Sequence, residues 1–217
     1  MAGRGVVEAQ DKEPIPHVYM LTKEMEWKPA VDPLHWDKPA VAGVGLARSF
    51  AKELLKSNPG ANIGLIPVAF GGTSLDEWKP GDKLYNNAVE RARFAMKSGK
   101  LRGILWHQGE ADSGKEENAR TYRERFNRVI GSLREDLNAP NVPVVIGQLG
   151  EFYEAPFVKV VTEQHFLIPL QVPRTAVVPS AGLKPKSDNV HFDSPSLREF
   201  GRRYAHAFLM LDPGWSK

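Results

Sequence analysis

The chain has 217 residues, which suits one ordinary domain and is enough to bury a sizeable core without metals or disulfides. Hydrophobic residues make up 41% and charged residues 25%, a balance that is typical of a globular protein and excludes a disordered or fibrous chain. The chain has no cysteine, which excludes disulfide frameworks and cysteine nucleophiles. Its net charge of +3 is dispersed, which argues against a nucleic-acid partner. No apolar run approaches the ~20 residues that cross a membrane, so no membrane partner is expected.

The predicted elements alternate between strands and helices along most of the chain. Residues 17–28 are rich in β-formers and predict a small surface hairpin. Residues 43–57 place apolar side chains at the i, i+3, i+4, i+7 spacing of a helix that packs on a sheet, and Asn58-Pro59-Gly60 ends it. Further strands are predicted over residues 62–70, 101–106, 142–146 and 174–179, and further helices over residues 84–96, 116–137, 156–170 and 196–211.

This alternation predicts the architecture. Strands that alternate with helices form parallel βαβ units, which build a doubly wound parallel sheet with helices on both faces. No internal repeat, low-complexity tract or linker breaks the chain, so we assign residues 1–217 to a single domain. In such a sheet, function lies just beyond the carboxyl ends of the strands, and polar peptides there are the first candidates for a site.

The first candidate is the peptide Ser187–Phe192, which follows the last predicted strand. Asp188 and His191 are separated by two residues, so the carboxylate can reach the imidazole Nδ1–H and leave Nε2 free as a general base. The alternative is local: Asp188 or Asn189 caps the turn, and His191 is a polar surface residue. The spacing by itself leaves both interpretations open.

The second candidate is the glycine pair Gly71-Gly72, which follows a predicted strand. Paired glycines there allow the backbone to approach a ligand and to turn its N–H groups toward a developing oxyanion. An ordinary tight turn is the alternative. Ser74 lies close by, but the peptide lacks the G-x-S-x-G elbow of a nucleophilic serine, so we do not favour it as the nucleophile.

The third candidate is His107-Gln108-Gly109-Glu110, where a strand ends in an unusually polar peptide. Gln108 can donate a side-chain N–H to an oxyanion, and Glu110 can accept a hydrogen bond from a histidine or a substrate hydroxyl. The alternative, an acidic helix N-terminus that stabilises the helix dipole, suits Glu110 and Asp112 but explains His107 and Gln108 poorly. The other histidines show no metal-ligand spacing, so neither a metal nor a cofactor is expected.

In their order along the chain, four blocks resemble the successive blocks of the SGNH-hydrolase superfamily. They are Met1–Gly5, Gly71–Ser74, Trp106–Glu110 and Asp188–Phe192, and the match extends over nearly the whole chain. The closest branch is the sialate O-acetylesterase-like group, which includes the family 6 carbohydrate acetyl esterases. The resemblance implies a flavodoxin-like three-layer α/β/α sandwich, and a cofactor-free serine esterase that takes acetyl groups off sugar hydroxyls or acts on another small acyl ester.

The resemblance also implies roles for individual residues. It makes His191 the general base and Asp188 its orienting acid, with Glu110 as the competing acid. It makes Gly72 the oxyanion-hole glycine and places Gln108 where the wider superfamily has asparagine. Arg4 is then expected to lie close to the nucleophile loop.

The first block departs from the family pattern. In the family it reads Gly-Gln-Ser-Asn-Met-Ala-Gly-Arg-Gly with the serine as nucleophile, whereas this sequence begins at the methionine two residues after that serine. We therefore expect the intact protein to carry an apolar strand and the nucleophile ahead of Met1, and the 217-residue chain to be inactive. The alternatives are a non-catalytic glycan-binding or scaffold remnant, and a flavodoxin-like nucleotide binder, for which Gly3-Arg4-Gly5 is an inadequate phosphate loop.

Overall fold

A computed structural model describes residues 2–215 of the chain. Its strands are β1 (Val18–Leu21), β2 (Trp27–Pro29), β3 (Ile63–Leu65), β4 (Ile104–Trp106), β5 (Val144–Gly147) and β6 (Thr175–Val178). Its α-helices are α1 (Ala47–Ser57), α2 (Lys83–Ala95), α3 (Glu116–Arg120), α4 (Tyr122–Asp136), α5 (Val158–Leu167) and α6 (Ser194–Leu211). The predicted α/β class is confirmed. None of the described helices is long and apolar enough to span a membrane.

The strands form two three-stranded sheets, where the sequence predicts one. In the first sheet β1 pairs antiparallel with β2 and parallel with β3. In the second sheet β4, β5 and β6 are parallel neighbours in that order. Within residues 2–215 no hydrogen-bonded ladder joins β3 to β4, so each is an edge strand. The burial pattern agrees, since β5 is buried at every position whereas β4 is only half-buried at two of three.

Two apolar layers cover opposite faces of the second sheet and give the three-layer arrangement. One layer contains α1 and α6, in which Phe50 and Phe208 pack edge to face at 5.7 Å. The other contains α2, α4 and α5. Successive side chains of a strand point to opposite faces, and accordingly Val145 of β5 packs in the first layer while Val144 and Ile146 pack in the second.

Three predicted elements differ from the structure for identifiable reasons. The strand predicted over 62–70 ends at Leu65, because Pro67 has no N–H to donate to a ladder. The helix predicted over 116–137 divides at Thr121, whose hydroxyl donates to the carbonyl of Glu117 and bends the chain there. The hairpin of β1 and β2 is present, but it is not merely a surface feature, because β1 pairs with β3 and buries both of its ends.

Candidate active site

Asp188 and His191 form a direct pair in the loop between β6 and α6. The Nδ1 atom of His191 lies 2.9 Å from Oδ2 of Asp188. The other carboxylate oxygen, Oδ1, accepts hydrogen bonds from the backbone N–H groups of Val190 and His191, each at 2.9 Å. Asp188 therefore does what both sequence interpretations suggested, since one oxygen caps the turn and the other binds the ring.

The electrostatics of this pair favour a charged carboxylate. Partial desolvation raises the pKa of Asp188, but the hydrogen bonds from the His191 backbone, the His191 ring and Val190 outweigh it and hold that pKa well below its usual range. The His191 side chain is 42% exposed, and within residues 2–215 no hydrogen bond is made to its Nε2. The ring is thus oriented at one nitrogen and open at the other.

The backbone around the pair explains why the turn forms. Asn189 adopts φ +53°, a left-handed conformation that asparagine tolerates better than most residues. The N–H of Lys186 donates to the carbonyl of His191 at 2.7 Å, which closes the loop on itself. Asp193 then caps α6 by accepting from the N–H of Ser196, which leaves Asp188 free of that task.

The Gly71-Gly72 turn lies at the same end of the molecule and is clasped by Arg4 and Asp37. Oδ2 of Asp37 accepts from the N–H of Gly71 at 2.9 Å and from Nη2 of Arg4 at 2.6 Å. A side chain on Gly71 would place its Cβ 2.5 Å from Nη2 of Arg4, so a larger residue would displace the Arg4 guanidinium from Asp37. Desolvation opposes ionisation of Asp37, but these hydrogen bonds lower its pKa and keep the clasp charged.

Gly72 itself is open. It has φ +81° and is exposed, and its N–H donates to no other residue between positions 2 and 215. Arg4 lies beside this turn, and its guanidinium is committed to Asp37 and to the carbonyls of Ala2 and Gly3. The expected place of Arg4 close to the nucleophile loop stays a prediction. The backbone amide of Gly72 is therefore free to meet a ligand, while Arg4 shapes the turn.

Gln108 is engaged by the scaffold. Its amide nitrogen donates to the carbonyl of Thr73 at 2.9 Å and to Oδ2 of Asp112 at 2.6 Å. Its amide oxygen accepts from the hydroxyl of Tyr122 at 2.9 Å. In this arrangement both N–H groups of Gln108 are donated within the protein. The amide thus ties the β4 loop to the Gly72 turn, and a role as oxyanion donor stays a prediction.

Asp112 is the centre of that network, although its predicted role was only that of an acid at a helix N-terminus. It is fully buried, and it accepts hydrogen bonds from Nη2 of Arg125 at 2.6 Å and from the N–H of Leu75 at 3.0 Å. The i, i+4 spacing from Gln108 to Asp112 was a sequence signal for their contact. Nothing local pointed to Arg125 or Leu75, because both come from distant segments.

Glu110 and His107 lie together behind the exposed pair. Oε1 of Glu110 is 3.8 Å from Nε2 of His107, and no hydrogen bond joins Glu110 to His191 within the described residues. Desolvation lowers the pKa of the buried His107 ring well below its usual value, so the ring is neutral. Desolvation also raises the pKa of Glu110, although 34% of its side chain is accessible and solvent moderates the shift.

The site is an open surface without clustered metal ligands. Over residues 2–215, no group of three or more His, Asp or Glu side chains could hold a metal ion. A cavity of about 580 Å³ between α2 and the end of α4, and another of about 370 Å³ beside β1, are lined by none of the predicted site residues. The chemistry available is therefore that of one oriented imidazole and one unpaired backbone amide.

Known proteins resemble this chain in sequence and in structure. Residues 1–210 match the profile of a family described as SASA, carbohydrate esterase, sialic acid-specific acetylesterase. A probable carbohydrate esterase of Arabidopsis thaliana is 33% identical over 198 residues, which cover 88% of this chain and 74% of that protein. A solved structure of an Arabidopsis thaliana protein matches with a TM-score of 0.90 at 30% identity, and covers 97% of this chain and 93% of its own.

Two more distant structures show the same fold. NanS matches with a TM-score of 0.78 at 17% identity, over 98% of this chain and 93% of its own length. A carbohydrate acetylesterase from Xanthomonas citri matches with a TM-score of 0.69 at 22% identity, over 97% of this chain and 56% of its own. The SGNH-type fold that the four sequence blocks implied is therefore confirmed.

Proposed function

The chain belongs to the family of carbohydrate esterases that is described as sialic acid-specific acetylesterase, and on this premise we propose that it removes acetyl groups from sugar hydroxyls as a serine esterase. The observation that carries the proposal is the pair of Asp188 and His191, in which one ring nitrogen is held by a carboxylate and the other is free at the surface. The unpaired N–H of Gly72 supports it, because the Gly71-Gly72 turn is held by Asp37 and Arg4, and the residue after Arg4, Gly5, packs against Ser194, three residues after His191.

The proposed reaction uses these groups in two steps. Asp188 binds Nδ1–H of His191, so Nε2 takes the proton of a serine hydroxyl while the serine oxygen attacks the acetyl carbonyl carbon. The N–H of Gly72 donates to the oxyanion that develops. His191 then gives its proton to the departing sugar oxygen, which leaves an acetyl-enzyme. Water, deprotonated by His191, attacks that ester and releases acetate and the free serine.

The proposal places the nucleophilic serine on a segment ahead of Met1. Among residues 2–215, no hydroxyl donates a hydrogen bond to Nε2 of His191. Ser74 is not favoured, because its peptide lacks the G-x-S-x-G elbow and leads directly into the short 3₁₀ helix Leu75–Trp78, where the Ser74 N–H donates to Oε2 of Glu77 at 2.8 Å. The resemblance to the family supports a serine carried by a Gly-Gln-Ser-Asn turn that follows an apolar strand.

The interrupted sheet supports the same proposal. Both β3 and β4 expose an unpaired edge toward the interruption, and an unpaired edge is a template for another strand. A parallel strand added there would join the two sheets. Its carboxyl end would reach the edge at which Arg4 meets Gly71 and at which Gly5 packs against Ser194 of α6.

A second candidate function is non-catalytic glycan binding on the same fold. The observation that favours it is the lack of a described hydroxyl at Nε2 of His191. A chain of this kind would keep the open surface and the exposed pair but would cleave nothing.

One experiment separates these possibilities. The 217-residue chain and a form extended at its N-terminus by about ten residues, with an apolar strand and a Gly-Gln-Ser-Asn turn, are assayed side by side on a chromogenic acetyl ester and an acetylated sugar. We expect hydrolysis by the extended form alone, since loss of a triad serine costs roughly 10⁶-fold in kcat in the subtilisin example. Extended forms with the new serine or His191 changed to Ala serve as matched controls.

The outcomes are distinct. Thermal melts should show a higher Tm for the extended form, because the added strand pairs two open edges and buries apolar side chains. Hydrolysis by the 217-residue chain that Ser74→Ala abolishes would show that the nucleophile is misplaced. Sugar binding by both forms without hydrolysis by either would favour the non-catalytic function.

A further inference from the structure

An exposed aromatic ring lies directly beside the proposed oxyanion position. Eight large apolar side chains are exposed in the described part of the chain, and four of them belong to loops around the site: Val6, Val41, Phe70 and Val190. Phe70 is the aromatic member of this group, is 42% exposed, and immediately precedes Gly71-Gly72. Exposure of a large ring at this place calls for a reason, because burial would stabilise the fold by about 1.5–3 kcal/mol.

The backbone that carries Phe70 is fixed. Its carbonyl accepts a hydrogen bond from Oγ1 of Thr73 at 2.9 Å. The next residue, Gly71, donates its N–H to Asp37, which is itself bound to Arg4. The ring is therefore presented to solvent from an ordered turn and not from a loose loop.

Lys38 adds a cation to the same place. Its Nζ lies 5.8 Å from the centroid of the Phe70 ring, within the range of a cation–π contact. The same Nζ is 3.5 Å from the position that a Cβ on Gly72 would occupy. An apolar ring, an ammonium group and an unpaired backbone amide thus meet at one point of the surface.

We propose that Phe70 and Lys38 form the platform that binds the sugar ring of the ester, a proposal that rests on the esterase function proposed above. A pyranose presents a face of C–H groups that carry partial positive charge, and the negative face of an aromatic ring attracts them. Lys38, whose Nζ lies 5.8 Å from the centroid of the Phe70 ring, donates a hydrogen bond to an oxygen substituent of the sugar. These two residues determine specificity and do not touch the bonds that change.

Phe70 and Gly72 share the Nζ of Lys38 as a neighbour, and a single bridging oxygen separates the sugar carbon from the acetyl carbonyl carbon. A sugar stacked on Phe70 would therefore hold its acetyl group near the Gly72 turn. An aromatic ring bound in this way is rigid, with few torsions to fix, and Lys38 reaches over it on a flexible stem.

The chain offers matched controls for both residues. Phe166 is 45% exposed in the last turn of α5, which runs away from the carboxyl ends of the strands. Lys97 has its Nζ 5.6 Å from the centroid of Phe94, a contact that resembles that of Lys38 with Phe70 but belongs to the region after α2. Changes at these positions alter a similar surface without altering the proposed platform.

The test measures binding to the 217-residue chain, with a methyl pyranoside that carries one O-acetyl group as the probe and ligand-observed NMR titration as the readout. We expect Phe70→Ala to raise the Kd about tenfold, which corresponds to about 1.4 kcal/mol, and Phe70→Trp to retain the affinity. Lys38→Met should raise the Kd about threefold. Phe166→Ala and Lys97→Met should bind as the unmodified chain does.

Several results would overturn the platform. They are an unmodified chain that does not bind the probe, a Phe70→Ala variant that binds normally, and a Phe70→Leu variant that restores full affinity, because leucine lacks the aromatic face. A loss in Phe70→Ala that Phe70→Trp shares, with lowered Tm in both, would indicate a packing role. Binding needs no hydrolysis, so a chain that binds the sugar through Phe70 but never cleaves an ester refutes the proposed function alone.

Discussion

Two loops at the same edge of the fold use their polar residues in opposite ways. The loop after β6 places Asp188 and His191 at the surface, with one ring nitrogen bound and the other open to solvent. The loop after β4 turns its polar groups inward, where Gln108 and Asp112 form hydrogen bonds to each other and to surrounding residues of the protein. Both loops follow strands, and both are rich in residues that can perform catalysis.

A polar peptide at the end of a strand is therefore not sufficient evidence of a catalytic group. A group that acts on a substrate needs an unused donor, acceptor or lone pair that a ligand can reach. His191 retains one, whereas the amide of Gln108 and the carboxylate of Asp112 retain little. A buried network of this kind contributes rigidity, and removal of one member leaves its partners unpaired in a medium of low dielectric.

The largest effect that tests this comparison concerns the orienting acid. In an active extended form, Asp188→Asn should lower kcat by about 10⁴-fold, or about 5.5 kcal/mol, because an amide holds the imidazole in the wrong tautomer. Glu110→Gln should lower kcat much less, since Glu110 contacts His107 instead of His191. Steady-state kinetics on one acetyl ester compare the two, and a larger loss for Glu110→Gln would transfer the role to Glu110.

The next effect concerns the buried loop. Asp112→Asn should destabilise the protein by about 3 kcal/mol, because Arg125 then loses its carboxylate partner at 2.6 Å and keeps the longer ion pair with Asp76, at 3.7 Å. Urea denaturation measures the free energy of unfolding. Glu116→Gln provides the control, because its ion pair with Arg120 is exposed and is expected to contribute less than about 1 kcal/mol. Equal free energies of unfolding for the two variants would show that the Asp112 network does not stabilise the loop after β4.

The smallest effect concerns His165, which packs behind the buried loop. Its ring is fully buried at 4.8 Å from the Tyr122 ring, and neither ring nitrogen has a hydrogen-bond partner among the described residues. Desolvation lowers its pKa to about 4. As pH falls from about 6.5 toward 4, the unfolded chain therefore binds a proton that the folded chain resists, and stability decreases.

The variant His165→Leu should remove this loss. The free energy of unfolding of the variant minus that of the parent should be about 2 kcal/mol larger at pH 5 than at pH 7.5. Denaturation at both pH values measures that difference, with the exposed His206→Gln as control. A stability difference between parent and variant that is the same at pH 5 and pH 7.5 would mean that His165 titrates normally and that the interior here is accessible to water.

Much of the fold and part of the site were predictable from the sequence. The alternation of strands and helices predicted the α/β class, and the order of four short blocks predicted the family that the comparisons confirm. The contact of Asp188 with His191 was also predictable, because three residues of chain in a turn bring the two side chains together. Strands and helices are predictable because each buries one face, so its apolar residues recur with the period of that element.

The tertiary structure decided what remained. The clasp of Arg4, Asp37 and Gly71 joins three segments that are distant in sequence, and the same holds for the contact of Arg125 with Asp112. The amide of Gln108 could bind a substrate or the protein itself. The residues that the fold places around it determine that it binds Thr73 and Asp112. Local patterns in the sequence are therefore enough to predict strands, helices, turns and contacts between near neighbours. Packing between distant segments determines which polar groups remain unpaired, because a buried donor or acceptor bonds to whichever partner the fold brings within reach.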